Sequence, residues 1–397
     1  MICDDQNILD ELREQLKTDE QMPSEEEFQS PLDFNAIPFE MRSSAFSNLR
    51  LKLAEHMKLD RVLFLFGNGA SIYAGSQNTG SFNLSDYAEK AEYAGIKGII
   101  QTVAGAGLCG IEEQLNALIT IRSYHKIVKD TEKEGAFTKL IDEVKGDLIK
   151  NFVNSVDYRK LDYHEMFLWK LRNFGCLSRT SIYTPNYDLA FEYSLDKLGV
   201  DYNDGFSGFV NRQFDPRTLS AGNKTSLVKV HGSVNWIAEE GAIKELQPRF
   251  KDGRVEIDKT DSVLIYPTSN KLYQTYATPY SELMRHMLNE METGRNVVLV
   301  MGYKYGDDHI NDILFKALEN PGNIFYFFLR SPNERGEFMK RISELEKSMP
   351  NIHILTGKIL ASFQVFVTHM LPGMPEETDE EKAIKMLRKV VLVNHAD

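Results

Sequence analysis

RVLFLFGNGASIYAGS, Arg61 to Ser76, decides how the rest of the chain is read. Five apolar residues, Val62 to Phe66, follow one another without alternation and run into Gly67, Asn68, Gly69, Ala70 and Ser71. A continuous apolar run of this length predicts a strand covered on both faces, as in a parallel sheet. Glycines at its end predict that another group comes very close to the backbone, the usual one being a phosphate at a following helix N-terminus. Ile72 stands where the dinucleotide fingerprint has its third glycine, and no Gly-Lys-Ser/Thr follows, so this is neither that fingerprint nor a P-loop. Ser71 reads either as a helix N-cap or as a phosphate contact. A tight turn without a ligand is the alternative for the whole stretch.

Working outward, further strands end in polar or glycine-rich loops. TSIYTPNYD and SLVKVHGSVNW each read as a strand running into a loop, as does NVVLVMGYKYGDD, while DSVLIYPT reads as another strand. LAFEYSLDKLG reads as a helix closed by Gly199, and HINDILFKALEN as a second helix; NIFYFFLR and NIHILTG are the last strands. Strands alternating with helices predict an α/β fold, a parallel sheet with helices on both faces. Residues 86–175 show helical spacing and predict a helical insert subdomain. Residues 1–60 read as an acidic arm, loose over its first thirty residues, followed by a helix; 61–372 read as the main domain and 373–397 as a helical tail. The functional groups fall at the carboxyl ends of four strands, where open α/β sheets bind ligands.

Composition narrows the function. Of 397 residues, 42% are hydrophobic and 26% charged, which fits a soluble globular protein. A net charge of −12 supplies no basic field for nucleic acid, so direct DNA or RNA binding is not expected. Cys3, Cys109 and Cys176 form no CxxC pair, which argues against a disulfide framework or a thiolate zinc site and fits a reducing cytoplasm. The first residues, MICDDQNILDELREQ, do not read as a signal peptide, and no apolar run is long enough to span a bilayer.

Each motif carries two readings. In TPNYD, Asn186 either holds a ribose hydroxyl or a water through its carboxamide, or closes an Asx-turn; Asp188 is the better helix cap. In KVHGSVNW, His231 is either a general base left open by Gly232 or a structural histidine. His309 in DDHIND stands out among the other histidines, beside Asp307 and Asp308 at a helix start. Neither HxxxH nor HExxH occurs, and capping explains Asp307, Asp308 and Asp312 without a cation. In GYKYGDD, Tyr303 and Tyr305 either wall an adenosine pocket or pack internally.

In order, GNGAS, TPNYD, KVHGS, VLIYPT and GYKYGDD resemble the sirtuin-like NAD-binding family over Arg61 to Phe366, most of all its bacterial antiviral branch. The resemblance implies a Rossmann-like catalytic domain in which Asn186 and His231 form the catalytic pair. It places Gly67, Asn68, Gly69, Ala70 and Ser71 along the diphosphate, Asp188 at the loop or a ribose, Gly232 and Ser233 among the cofactor-binding residues, and Gly302 and Tyr303 by the adenosine half. It implies Gly357 in the turn after the closing strand. No cysteine follows Cys176, and no Gly-Ile-Pro-x-Phe-Arg segment follows the glycine turn, so an acyl-lysine substrate is disfavoured and water becomes the acceptor. The implied activity is cleavage of NAD, as substrate, to nicotinamide and ADP-ribose during antiphage defence; no metal is expected. Implied partners are further copies of the chain in a ring or filament and a HerA-type ring ATPase, with the acidic arm and C-terminal helix as contacts. A binder of NAD or ADP-ribose without cleavage is the alternative, with a protein ADP-ribosyltransferase or deacylase behind it.

Overall fold

The computed structural model describes residues 2–18, 34, 37–76, 83–108, 111–220, 222–256, 262–264, 278–331 and 336–373. Most of the acidic stretch after residue 18, residues 77–82, Cys109, residues 265–268 of VLIYPT and the expected helix beyond residue 373 lie outside the described residues.

In chain order the strands are β1 (Ile2–Asp4), β2 (Arg61–Phe66), β3 (Thr180–Thr184), β4 (Tyr202–Asn203), β5 (Phe206–Ser207), β6 (Arg212–Phe214), β7 (Thr225–Lys229), β8 (Gly232–Glu239), β9 (Ala242–Glu245), β10 (Arg249–Lys251), β11 (Arg254–Glu256), β12 (Ser262–Leu264), β13 (Asn296–Met301), β14 (Ile324–Leu329) and β15 (Ile352–Thr356). Eight form one sheet in the order β1-β15-β14-β13-β2-β3-β7-β4. All its pairings are parallel. β2 shows why its sequence does not alternate. Val62, Phe64 and Phe66 enter one core, while Leu63 and Leu65 enter the core on the other face. Burying each such side chain contributes roughly 1.5–3 kcal/mol.

Helices Ser47–His56, Asp162–Phe174 and Ala190–Lys197 cover the first face; Tyr280–Glu292, Asp308–Ala317 and Glu337–Glu346 cover the second. The parallel sheet with helices on both faces is therefore the architecture observed. From β2 the chain builds outward through β3, β7 and β4, then crosses back to build β13, β14 and β15 on the other side. The order reverses between β2 and β13, and a crevice at such a reversal receives ligands at the carboxyl ends of the strands.

Three expectations are corrected. Residues 2–18 are not a loose arm: Ile2 pairs with Ile354 at the sheet edge, and helix Asp5–Thr18 buries Ile8 and Leu12. The acidic composition misled because Asp5 is a structural anchor, accepting hydrogen bonds from the amides of Ile359 and Leu360 at 2.9 and 3.0 Å. Helix Asp162–Phe174, assigned to the insert by its position, packs Phe167, Leu168 and Leu171 on the sheet. Helices Ser85–Ala88, Lys97–Gly105, Ile111–Ile127 and Thr131–Ser155 instead share a separate core that includes Leu84, Tyr93, Leu115, Phe137 and Leu148. Helical periodicity reveals an apolar face but not what covers it. Finally, GSVNW is a strand rather than a loop. Gly232, at φ +90°, turns the chain out of β7 into β8, which joins an antiparallel sheet in the order β12-β8-β9-β6-β5. Among the described residues, no helix is long and apolar enough to cross a membrane.

Candidate functional site

Neighbouring strands β13, β2, β3 and β7 end in the four segments singled out from the sequence. Met301 pairs with Phe66, Leu65 with Tyr183, and Thr184 with Lys229. Counting on from these pairs puts Tyr303, Asn68, Asn186 and His231 at equivalent positions, each two residues past its strand end. Adjacent strands lie about 4.8 Å apart, so Asn186 and His231 start one strand spacing from each other.

The glycine turn is shaped by the chain itself. A Cβ on Gly67 would lie 2.4 Å from the Gly302 carbonyl oxygen, and one on Gly69 2.5 Å from the Gly302 Cα. Gly302, at φ +67°, meets Gly69 just as closely, so two strand ends interlock through three glycines. The Gly67 and Gly69 amides donate to Met301 and Gly302 carbonyls at 3.0 Å each, and those of Ala70 and Ser71 donate back to Gly67 and Asn68 at 3.1 and 2.9 Å. The loop after β13 is thus a close neighbour of these glycines. No long helix follows either: 3-10 turns Asn68–Ala70 and Ile72–Ala74 end at Gly75, whose φ is +101°. Ser71 is wholly buried and its side chain makes no capping bond. Asn68 accepts a hydrogen bond from the Ser76 hydroxyl.

Asn186 is buried, and its position is set from both sides. The Thr184 hydroxyl donates to the Phe66 carbonyl at 2.7 Å and accepts from the Asn186 amide at 3.0 Å. The side-chain Nδ2 donates to the Gly67 carbonyl at 3.2 Å. Fixing Nδ2 on the glycine turn fixes where the carboxamide oxygen points. Asp188 turns back into the chain and accepts from the Ala190 amide at 3.0 Å, although Leu189 holds the N-cap position of helix Ala190–Lys197.

Beneath this loop lies a polar network the sequence did not disclose. Lys229, 2% exposed at the end of β7, is held by the Tyr187 and Asp188 carbonyls, the Ser233 hydroxyl and the Glu192 carboxylate, the last at 2.9 Å. Burial pushes the Asp188 and Glu192 carboxyls above the usual carboxylate range, against the pull of Lys229. Ser233 donates to Asn235 at 2.7 Å; Asn235 donates to Glu245 at 3.2 Å; Arg212 pairs with Glu245 at 2.9 Å and with Asp204 at 2.7 Å. Burial, with Asp204 adding to it, raises the Glu245 carboxyl to about 7. Ser233 is wholly buried inside this network. Lys229, the one charged residue of the TSLVK strand, was the available signal for it.

His231 is 3% exposed, not open as Gly232 suggested. Its Nε2 lies 2.8 Å from Nε2 of His309, itself 8% exposed, in a hydrogen bond. Because β13 and β7 are separated by β2 and β3, the loop Gly302 to Asp307 must cross two strand ends to bring His309 there. Its internal ties hold it. Tyr303 Oη accepts from the Asp307 amide at 3.1 Å, and Asn311 donates to the Tyr305 carbonyl at 2.8 Å. Tyr303 packs on Tyr305, and Tyr305 stacks on Phe338, so both rings are internal. The Asp307 carboxylate makes no capping bond; it, His231 and His309 offer three donor atoms within 4.8 Å of one another, the one such His/Cys/Asp/Glu group among the described residues. A neutral or anionic oxygen beside two imidazoles suits either proton traffic or a borderline cation.

The family model of the SIR2-like domain matches residues 180–349, a span that holds Asn186, His231 and His309 and begins after the glycine turn. Among solved structures, one titled as the crystal structure of a Sir2 homolog–NAD complex aligns with 80% of this chain and 92% of its own, at 13% identity and a TM-score of 0.41. No curated protein matches the chain.

Proposed function

We propose that the chain binds NAD at this site and hydrolyses its nicotinamide–ribose bond. The observation that carries the reading is the placement of Asn186 and His231 at matched positions on adjacent strand ends, with the carboxamide anchored to the Gly67 carbonyl. Both lie within the segment that matches the SIR2-like domain. As the bond from ribose to nicotinamide breaks, positive charge builds on the ribose, an oxocarbenium-like state. Nicotinamide leaves as a neutral molecule with the bonding electrons, because it is cationic while attached. Water forms the new bond, and its proton goes to His231. Asn186 directs that water or a ribose hydroxyl through its carboxamide. The products are nicotinamide and ADP-ribose. An enzyme that depletes NAD needs restraint, which fits an effector of antiphage defence assembled with copies of itself and switched by a HerA-type ATPase.

The alternative is a protein that holds NAD or ADP-ribose without cleaving it. The near-complete burial of His231, 3% exposed, favours that alternative in the resting state. Nicotinamide release by purified protein, with and without an ATPase partner, tests the choice beside Asn186→Ala and His231→Ala. Release lost in both variants supports hydrolysis. NAD bound but intact in every condition supports the binder.

A further inference from the structure

We propose that His309 is a positioning residue for His231, fixing its ring and receiving the hydrogen bond that His231 donates once it is protonated. This rests on the role assigned to His231 above. The Nε2 to Nε2 distance of 2.8 Å leaves room for one hydrogen between the rings. One imidazole therefore donates and the other accepts, so the tautomer of each is set by its neighbour. Both rings are nearly enclosed, and the ring planes meet at 42° with centroids 5.0 Å apart, so neither rotates away without displacing the other.

The contact also has a clear chemical use. When His231 takes the proton of the attacking water on Nδ1, its Nε2–H donates to neutral His309. The Asp307 carboxylate, within 4.8 Å of both ring nitrogens, offsets the charge that forms. The proton ends on His231, the acceptor is His309, and no other reactant is required. The fold invests in this contact: the loop from Gly302 crosses the ends of β2 and β3 and is locked by Tyr303 and Asn311 before His309 is presented. Helix Asp308–Ala317 packs on the sheet through Ile310, Ile313 and Leu314, so a second imidazole is not needed to hold it there.

The test compares His309→Leu, which keeps bulk but not the hydrogen bond, with His309→Gln, whose amide restores a partner for Nε2. The first readout is the rate at which diethyl pyrocarbonate modifies His231 in the full-length protein, followed by peptide mass spectrometry. Modification at least fivefold faster in His309→Leu and back near the wild-type rate in His309→Gln is the expected result. The same rate in all three proteins overturns the proposal. So does protection that disappears on treating wild type with EDTA, which would make the two rings ligands of a metal. The second readout is NAD hydrolysis: His309→Leu should lose tenfold or more in kcat with KM within twofold, and His309→Gln should recover most of it. Wild-type kcat in His309→Leu overturns the proposal. If wild type hydrolyses no NAD, the modification rates still decide the His231–His309 pairing, so failure of the two readings is distinguishable.

Discussion

A methyl group at Gly69 has nowhere to go, because the Cα of Gly302 lies 2.5 Å from where it would be placed. The obstacle is backbone, which cannot swing aside as a side chain can. Gly69→Ala should therefore destabilise the fold by about 1–3 kcal/mol, read as a lower urea midpoint with the m-value unchanged. A midpoint equal to wild type would mean that the two strand ends do not interlock as described. Glu245 makes the pH prediction. Its carboxyl is raised to about 7 in the folded protein from an ordinary value of 4.5. Between those values the folded state keeps a proton that the unfolded state has lost. Stability is then highest below about pH 4.5 as far as this group goes, falls as pH rises, and levels off past about pH 7. Asp188, Glu192 and Asp204 are shifted the same way by burial, so they add to the slope. Thermal unfolding followed across pH 5 to 8 should slope more gently in Glu245→Gln than in wild type. An equal slope would place the titration elsewhere.

Elements were legible where one residue type decides them. β2, β13 and β14 were readable because continuous apolar runs have no other home than a doubly covered sheet. β8 was missed because Gly232 reads as the start of a loop, while its positive φ turns one strand into the next. The first strand and helix were missed because acidic residues suggest solvent, whereas Asp5 spends both carboxylate oxygens on the backbone of the Ile359–Leu360 turn. That anchor is testable. Asp5→Ala should cost about 1–2 kcal/mol, the range for losing a cap, and should expose the first helix to limited proteolysis before the rest. Uniform protease resistance with unchanged stability would show that β1 is held by its pairing alone.

At the scale of the whole molecule, the site is where three parts of the chain arrive together. Asn186 and His231 were legible because they follow predicted strands that the sheet then sets side by side. His309 was noticed but not connected, since 78 residues separate it from His231 and only the return through β13 closes that distance. Lys229 carried a signal as the one charge in TSLVK, but its pairing with Glu192 was not legible, because a buried pair announces itself by burial, which sequence does not give. The insert keeps its own core, separate from the two that cover the sheet. The most direct test is nicotinamide release from NAD by the purified protein, with and without an added HerA-type ATPase, beside Asn186→Ala and His231→Ala. The account predicts release by wild type and a loss of a hundredfold or more in both variants, with their folds intact by thermal melting. Equal release by wild type and both variants, or NAD bound and left whole by all three, would contradict it.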